Sequence, residues 1–109
     1  MDRSNISLKP HVDSIDKAVA ISTLQSAVRH SSITGNEATF AAYLAEILNE
    51  LGMDQVILRD FLPSRPNVIG IKRGTGGGKC LMLIGHTDVV QVRGWRERWD
   101  GDPRDSSAR

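Results

Sequence analysis

The sequence predicts an α/β domain in which two helices are followed by about three strands of an incomplete sheet. Two observations support this fold class. Apolar residues recur at helical spacing before residue 52, and short apolar segments separated by proline and glycine follow it. The last of these segments, Cys80–Ile84, is nearly unbroken, which is typical of a strand buried on both faces.

Each of the two predicted helices has one apolar face. The first helix spans about Ser14 to His30, and its face contains Ala20, Ile21, Leu24, Ala27 and Val28. The second helix starts at a capping box, in which the Thr34 hydroxyl accepts from the Glu37 amide and the Glu37 carboxylate reaches back. Gly52 follows this helix at the position of a left-handed C-terminal cap. The face of the second helix contains Phe40, Ala41, Leu44, Ile47, Leu48 and Leu51.

The predicted strands are Gln55–Arg59, Asn67–Ile71 and Cys80–Ile84. A loop with two prolines, residues 61–66, joins the first two strands. The glycine-rich segment Gly74–Lys79 joins the second strand to the third. Its spacing excludes a P-loop and a dinucleotide fingerprint, and both motifs also need a helix after the loop. We therefore expect a flexible hairpin connection there.

The candidate functional residues follow the predicted third strand, in the sequence Gly-His-Thr-Asp at 85–88. In extended backbone His86 and Asp88 point the same way, at the strand end where α/β sheets usually bind ligands. Imidazole is the commonest metal ligand, and a carboxylate behind it fixes its tautomer. The pattern predicts that His86 binds a metal and that Asp88 orients it. His11 and His30 are expected to be surface histidines.

Composition narrows the functional classes. A net charge of +1 over 109 residues gives no reason to expect nucleic acid or an anionic membrane surface as a partner. The sequence contains no apolar run of membrane-spanning length and no signal-peptide segment. Cys80 is the only cysteine, so no internal disulfide can form, and a cytoplasmic location fits best. Cys80 itself is expected to be a small buried hydrophobe.

The two ends of the chain differ in composition from its middle. Residues 1–13 are polar, carry Pro10, and are expected to form a flexible lead-in. Trp95 and Trp99 lie in a polar segment after the metal-binding motif. The two tryptophans are expected either to line a pocket or to cover the end of a small core, and the sequence leaves both alternatives open. Residues 104–109 lack large apolar side chains and are expected to be disordered.

Four segments resemble, in family order, an M20-type zinc metallopeptidase. The family includes acetylornithine deacetylase, succinyl-diaminopimelate desuccinylase, aminoacylase and a bacterial carboxypeptidase. A Trp-x-x-Asp-Pro sequence at 99–103 continues the match, and the resemblance covers about residues 14–103, as the amino-terminal part of a catalytic domain. The four segments are SITGNE at 32–37, RPNVIG at 65–70, GTGGGK at 74–79 and GHTDVV at 85–90.

The resemblance implies an amidohydrolase acting on N-acyl amino acids or small peptides. In this family two zinc ions, sometimes cobalt, lie at the ends of parallel strands and activate water, with a glutamate as general base. His86 matches a metal ligand, and Asp88 matches the catalytic-site carboxylate that orients this histidine. Glu37 is not a catalytic residue of the family. A homodimer, often formed through an inserted lid domain, is left open.

One departure from the family concerns the residues that complete its site. The other metal ligands and the general base lie downstream of the Asp-Pro sequence, where this chain has Arg104 in place of phenylalanine. The expectation is therefore a truncated fragment that is inactive by itself. The alternative is a non-catalytic remnant or a small α/β interaction module, and its mark would be an exposed apolar sheet edge and face.

Overall fold

The computed structural model describes residues 7–90, and within that range three helices precede a two-stranded antiparallel sheet. The predicted fold class, α/β with an incomplete sheet, is confirmed. Predictions for residues 1–6 and 91–109, including both tryptophans and the tail, lie outside the described residues. The elements are α1 (Lys9–Asp13), α2 (Lys17–Arg29), α3 (Ala38–Glu50), β1 (Gln55–Leu62) and β2 (Arg65–Ile71).

The first two helices follow local sequence signals. α1 lies inside the predicted lead-in, with Pro10 in its first turn, where a missing N–H costs no hydrogen bond. α2 starts at Asp16, whose carboxylate accepts from the Val19 amide at 3.1 Å. Neither helix, nor any other within residues 7–90, has the length and apolar character needed to cross a bilayer.

Helix α3 ends as predicted and begins differently. Gly52 has φ +72°, its amide donates to Asn49, and the Met53 amide donates to Leu48. This hydrogen-bond pattern is a Schellman C-cap, so the predicted glycine cap is confirmed. The predicted capping box is wrong, because Glu37 itself is the N-cap residue and no side chain caps the helix.

The hairpin is longer than the sequence predicts. Its register runs from Gln55 opposite Ile71 to Leu62 opposite Arg65, with Pro63 and Ser64 in the turn. Residues 61–66 are therefore mostly strand rather than loop. Each strand of a two-stranded sheet has an open edge, where the missing N–H of a proline is tolerated.

The small core lies where α3 packs against the hairpin. Ala41 and Ala45 are its buried apolar residues, with exposed fractions of 0% and 8%. A Cβ atom on Gly70 would lie 3.0 Å from the Leu48 side chain, so the glycine allows β2 to approach α3 closely. Helix α2 contacts α3 through His30, whose ring stacks on Tyr43 at 4.1 Å between centroids. His30 is half-buried in this contact.

The predicted third strand is absent from the part of the chain that the structure describes. Leu81, Met82, Leu83 and Ile84 are 75–87% exposed, and Cys80 is exposed as well. The predictions of a doubly buried strand and of a buried Cys80 are therefore wrong. An apolar segment becomes a buried strand only beside neighbouring strands, and within residues 7–90 none pairs with it. Within residues 7–90, the chain is next paired at Val89, which forms a parallel bridge with Ile33.

Candidate functional site

His86 and Asp88 lie side by side where the exposed apolar segment ends. The distance from His86 Nδ1 to Asp88 Oδ1 is 3.5 Å. The imidazole is 93% exposed and the carboxylate 34% exposed. Because Nδ1 faces the carboxylate, Nε2 is the ring nitrogen available to bind a ligand.

The loop between α2 and α3 holds this part of the chain in place. The Val89 amide donates to the Ser32 carbonyl at 2.8 Å, and the Thr34 amide donates to the Val89 carbonyl at 3.2 Å. The Ser32 hydroxyl, in a side chain that is almost fully buried, donates to the Thr87 carbonyl. These bonds place Ile33 and Val89 on neighbouring, parallel stretches of backbone.

One side-chain contact joins the same loop to the predicted site. The Thr34 hydroxyl donates to Oδ2 of Asp88 at 2.9 Å. The other carboxylate oxygen, Oδ1, faces His86. The two oxygens of Asp88 thus have different partners, and the threonine predicted to cap a helix contacts the site instead.

An ion pair whose carboxylate is buried joins this loop to β2. Arg65 of β2 donates from Nη2 to Glu37 Oε1 at 2.6 Å and from Nε to Oε2 at 3.1 Å. The Glu37 side chain is 4% exposed and also accepts from the Gly35 amide at 2.9 Å. Hydrogen bonds from Arg65, and then from Gly35, lower the pKa of Glu37 from its ordinary 4.5 to about 2. Glu37 therefore stays ionised at neutral pH despite its burial.

Arg65 links the ion pair electrostatically to the site. Its pKa is raised mainly by the hydrogen bonds and charge of Glu37, and also by the charge of Asp88. The guanidinium therefore lies within electrostatic reach of both carboxylates. Sequence reasoning missed this role of Arg65, because 28 residues separate it from Glu37 and no local pattern relates the two.

The residues present fit one ligand of a metal site rather than a whole site. A catalytic zinc needs three protein ligands, usually imidazoles and carboxylates. Within residues 7–90 no three His, Cys, Asp or Glu side chains lie close enough together to hold an ion. What this region supplies is one exposed imidazole with a carboxylate beside it.

The chain is similar to curated hydrolases. It is 36% identical to a succinyl-diaminopimelate desuccinylase of Leptothrix cholodnii over 89 residues, which cover 76% of this chain and 22% of that enzyme. A desuccinylase of Cupriavidus taiwanensis is 38% identical over 82 residues, covering 70% of this chain and 21% of that enzyme. An N-formyl-4-amino-5-aminomethyl-2-methylpyrimidine deformylase of Bacillus subtilis is 39% identical over 64 residues, covering 57% and 15% respectively.

These relatives confirm the family resemblance that the motifs predict. The chain spans about a fifth of the length of the two desuccinylases that it matches. No family model and no solved structure matches it.

Proposed function

We propose, since the chain is a relative of the M20-type amidohydrolases, that it contributes to a metal-dependent enzyme that hydrolyses amide bonds. The substrates proposed are N-acyl amino acids or small peptides, as for a deacetylase, desuccinylase or carboxypeptidase. Similarity to the curated desuccinylases supports the hydrolase class. The observation that carries the proposal is the His86–Asp88 pair, held against the loop by Thr34.

The proposed roles follow from the contacts of the two residues. His86 is a zinc ligand, because its imidazole is exposed and has a carboxylate at 3.5 Å. Asp88 orients the ring and raises its basicity without binding the metal itself. The proposed cofactor is zinc, two ions in the complete enzyme, with cobalt as a substitute. Bound zinc polarises a carbonyl and lowers the pKa of water.

The proposal also covers the cellular location of the protein and its binding partners. We propose a cytoplasmic protein, because Cys80 is the single cysteine and no disulfide is needed. A net charge of +1 argues against nucleic acid or an anionic membrane surface as a partner. The proposed partner is therefore a small-molecule substrate, and a homodimer of the complete enzyme is compatible with these features.

The 109-residue chain by itself is proposed to be inactive, because residues 7–90 offer a single imidazole ligand at the site. The purified chain, given Zn²⁺ or Co²⁺, should not release amine from N-succinyl or N-acetyl amino acids. Metal-dependent hydrolysis that is lost in His86→Ala would contradict inactivity and support the hydrolase function. Hydrolysis that persists in His86→Ala would contradict both the inactivity of the chain and the role proposed for His86.

A chimera tests whether these residues can serve a hydrolase. In it, the matched residues of this chain replace their counterparts in the Leptothrix cholodnii desuccinylase. We expect the chimera to hydrolyse its substrate. We expect His86→Ala to abolish activity and Asp88→Asn to lower it about 10–100-fold, the usual cost of losing a carboxylate that orients a metal ligand.

The control for the chimera is Glu46→Gln, which changes an exposed carboxylate of α3 and should leave activity unchanged. A folded chimera that is inactive would contradict the proposed function. So would a chimera that keeps full activity with His86→Ala.

A second function, a non-catalytic interaction module, is favoured by one observation. The exposed apolar surface that marks this alternative is present in the hairpin and in the segment after it. Phe61 is 79% exposed, and Leu83 and Ile84 are 86% and 87% exposed. Contiguous exposed apolar surface is typical of sites that bind another protein. Self-association of the chain would support this alternative.

A further inference from the structure

We propose that Thr34 is a positioning residue that fixes the carboxylate of Asp88 and, through it, the imidazole of His86. The inference rests on the proposed function, because it assigns a role to Thr34 only if His86 and Asp88 form part of a site. It concerns residues that the predicted site does not include.

The first step is the backbone. The Val89 amide donates to Ser32 at 2.8 Å, and the Thr34 amide donates to Val89 at 3.2 Å. The two bonds flank the bridge between Ile33 and Val89 and keep these two stretches of backbone in register. Because neighbouring strands lie about 4.8 Å apart, side chains of the loop can reach those of residues 87–89.

The second step is the side-chain contact. Thr34 Oγ1 donates to Asp88 Oδ2 at 2.9 Å, while Asp88 Oδ1 lies 3.5 Å from His86 Nδ1. A carboxylate with a donor on one oxygen loses freedom to rotate, and its other oxygen then has a fixed direction. Threonine suits this role, because its β-branched side chain is stiff at χ1.

The third step is the anchor of the loop itself. Glu37, 3% exposed, holds the loop to β2 through its paired hydrogen bonds with Arg65. The Asn36 amide donates to the Ile33 carbonyl at 2.8 Å, which closes a turn within the loop. Contacts therefore run without a break from the hairpin, through the loop and Thr34, to Asp88 and His86. Thr34 is held on both sides, and so it can position what it touches.

The test uses the full 109-residue chain without metal or substrate. Three-bond NMR couplings of Asp88 measure its χ1 angle. We expect a single rotamer in the wild type and in Thr34→Ser, which keeps the hydroxyl. We expect loss of that single rotamer, with averaged couplings, in Thr34→Val, which has the same shape without the hydroxyl. Thr39→Val, at an exposed threonine of α3, is the control and should change nothing at Asp88.

Hydrogen exchange of the Val89 amide reports whether the loop stays in place. Protection of this amide in Thr34→Val, together with averaged Asp88 couplings, supports positioning by the hydroxyl. Averaged couplings in the wild type would overturn the proposal even if Thr34→Val does not fold. So would a single rotamer in Thr34→Val, or averaging in Thr34→Ser with Val89 still protected. Failure of the chimera to hydrolyse amides would overturn the proposed function and leave the Thr34–Asp88 contact in place, since the couplings are measured without catalysis.

Discussion

Among single residues, Glu37 has the environment that departs most from what its sequence context predicts. The sequence predicts that its side chain takes part in a capping box, whereas in the structure the residue is 3% exposed and its carboxylate caps no helix. A charge in such a place needs a partner, because an unpaired buried carboxylate would be neutralised or would destabilise the fold. Arg65 supplies paired hydrogen bonds that match the shape of a carboxylate. The pair therefore joins the loop before α3 to β2.

The pH dependence of stability should report this ion pair. The pKa of Glu37 is lowered from 4.5 to about 2, so the unfolded chain takes up this proton more readily than the folded chain does. The stabilisation that the ionised Glu37 carboxylate gives the folded state is fully present above about pH 4.5 and is lost as the pH falls toward 2. Urea unfolding between pH 7 and pH 2 should show a fall in the free energy of unfolding that is smaller in Glu37→Gln.

Asp54 provides the comparison for this experiment. A hydrogen bond from the Arg73 amide lowers the pKa of Asp54, so this group also loses stabilisation in acid. Asp54→Asn should remove the part of the pH dependence of the free energy of unfolding that is due to Asp54. The part due to Glu37 should remain. An acid dependence in Glu37→Gln as steep as in the wild type would contradict the role assigned to the ion pair.

Among the elements, helix α3 and its glycine cap can be predicted from local sequence signals. The fate of the predicted third strand cannot. A face of apolar residues and a glycine at C′ need only the helix itself. A buried strand at Cys80–Ile84 needs neighbours on both sides, and its sequence cannot report whether they are there. The proximity of His86 and Asp88 follows from their two-residue spacing. The contact of Thr34 with Asp88 bridges 54 residues, and no local pattern signals it.

The glycine cap of α3 gives a prediction for this element. Gly52→Ala places a Cβ on a residue with φ +72° and should lower the free energy of unfolding by roughly 1 kcal/mol. Gly74→Ala is the matched control, because a Cβ there meets nothing within 4 Å and the backbone is not left-handed. Urea unfolding of both variants measures the difference. Equal stability of the two variants would contradict the role of Gly52.

At the scale of the whole molecule, the chain buries little apolar surface. The described residues include no large side chain that is fully buried, and the buried apolar core consists of Ala41 and Ala45. Strands β1 and β2 and the segment at 81–84 all expose apolar side chains. Burial of apolar area is the main favourable term in folding, so this surface represents stabilisation that the chain does not gain by itself.

Self-association is therefore expected. Gel filtration with light scattering, in the presence of reductant to keep Cys80 from cross-linking, should give an apparent mass that rises with concentration. Leu83→Lys should weaken this rise, because Leu83 is 86% exposed within the apolar segment. Leu8→Lys is the control, since Leu8 is 67% exposed but lies before α1. A monomer at every concentration, with a cooperative thermal transition, would count against the interaction-module alternative.

The exposed segment at 81–84 also bears on the lifetime of the chain in a cell. Proteases and chaperones bind peptide segments through their backbone, and here an exposed apolar segment has no partner strand within residues 7–90. A single cut in this segment would leave α3 and the hairpin intact but would detach His86 and Asp88 from them. Among the described residues, Ser32 and Thr34 would then supply the hydrogen bonds that hold His86 and Asp88 to the fold. Cleavage in this segment would therefore separate the proposed metal ligand from α3 and the hairpin while leaving those elements intact.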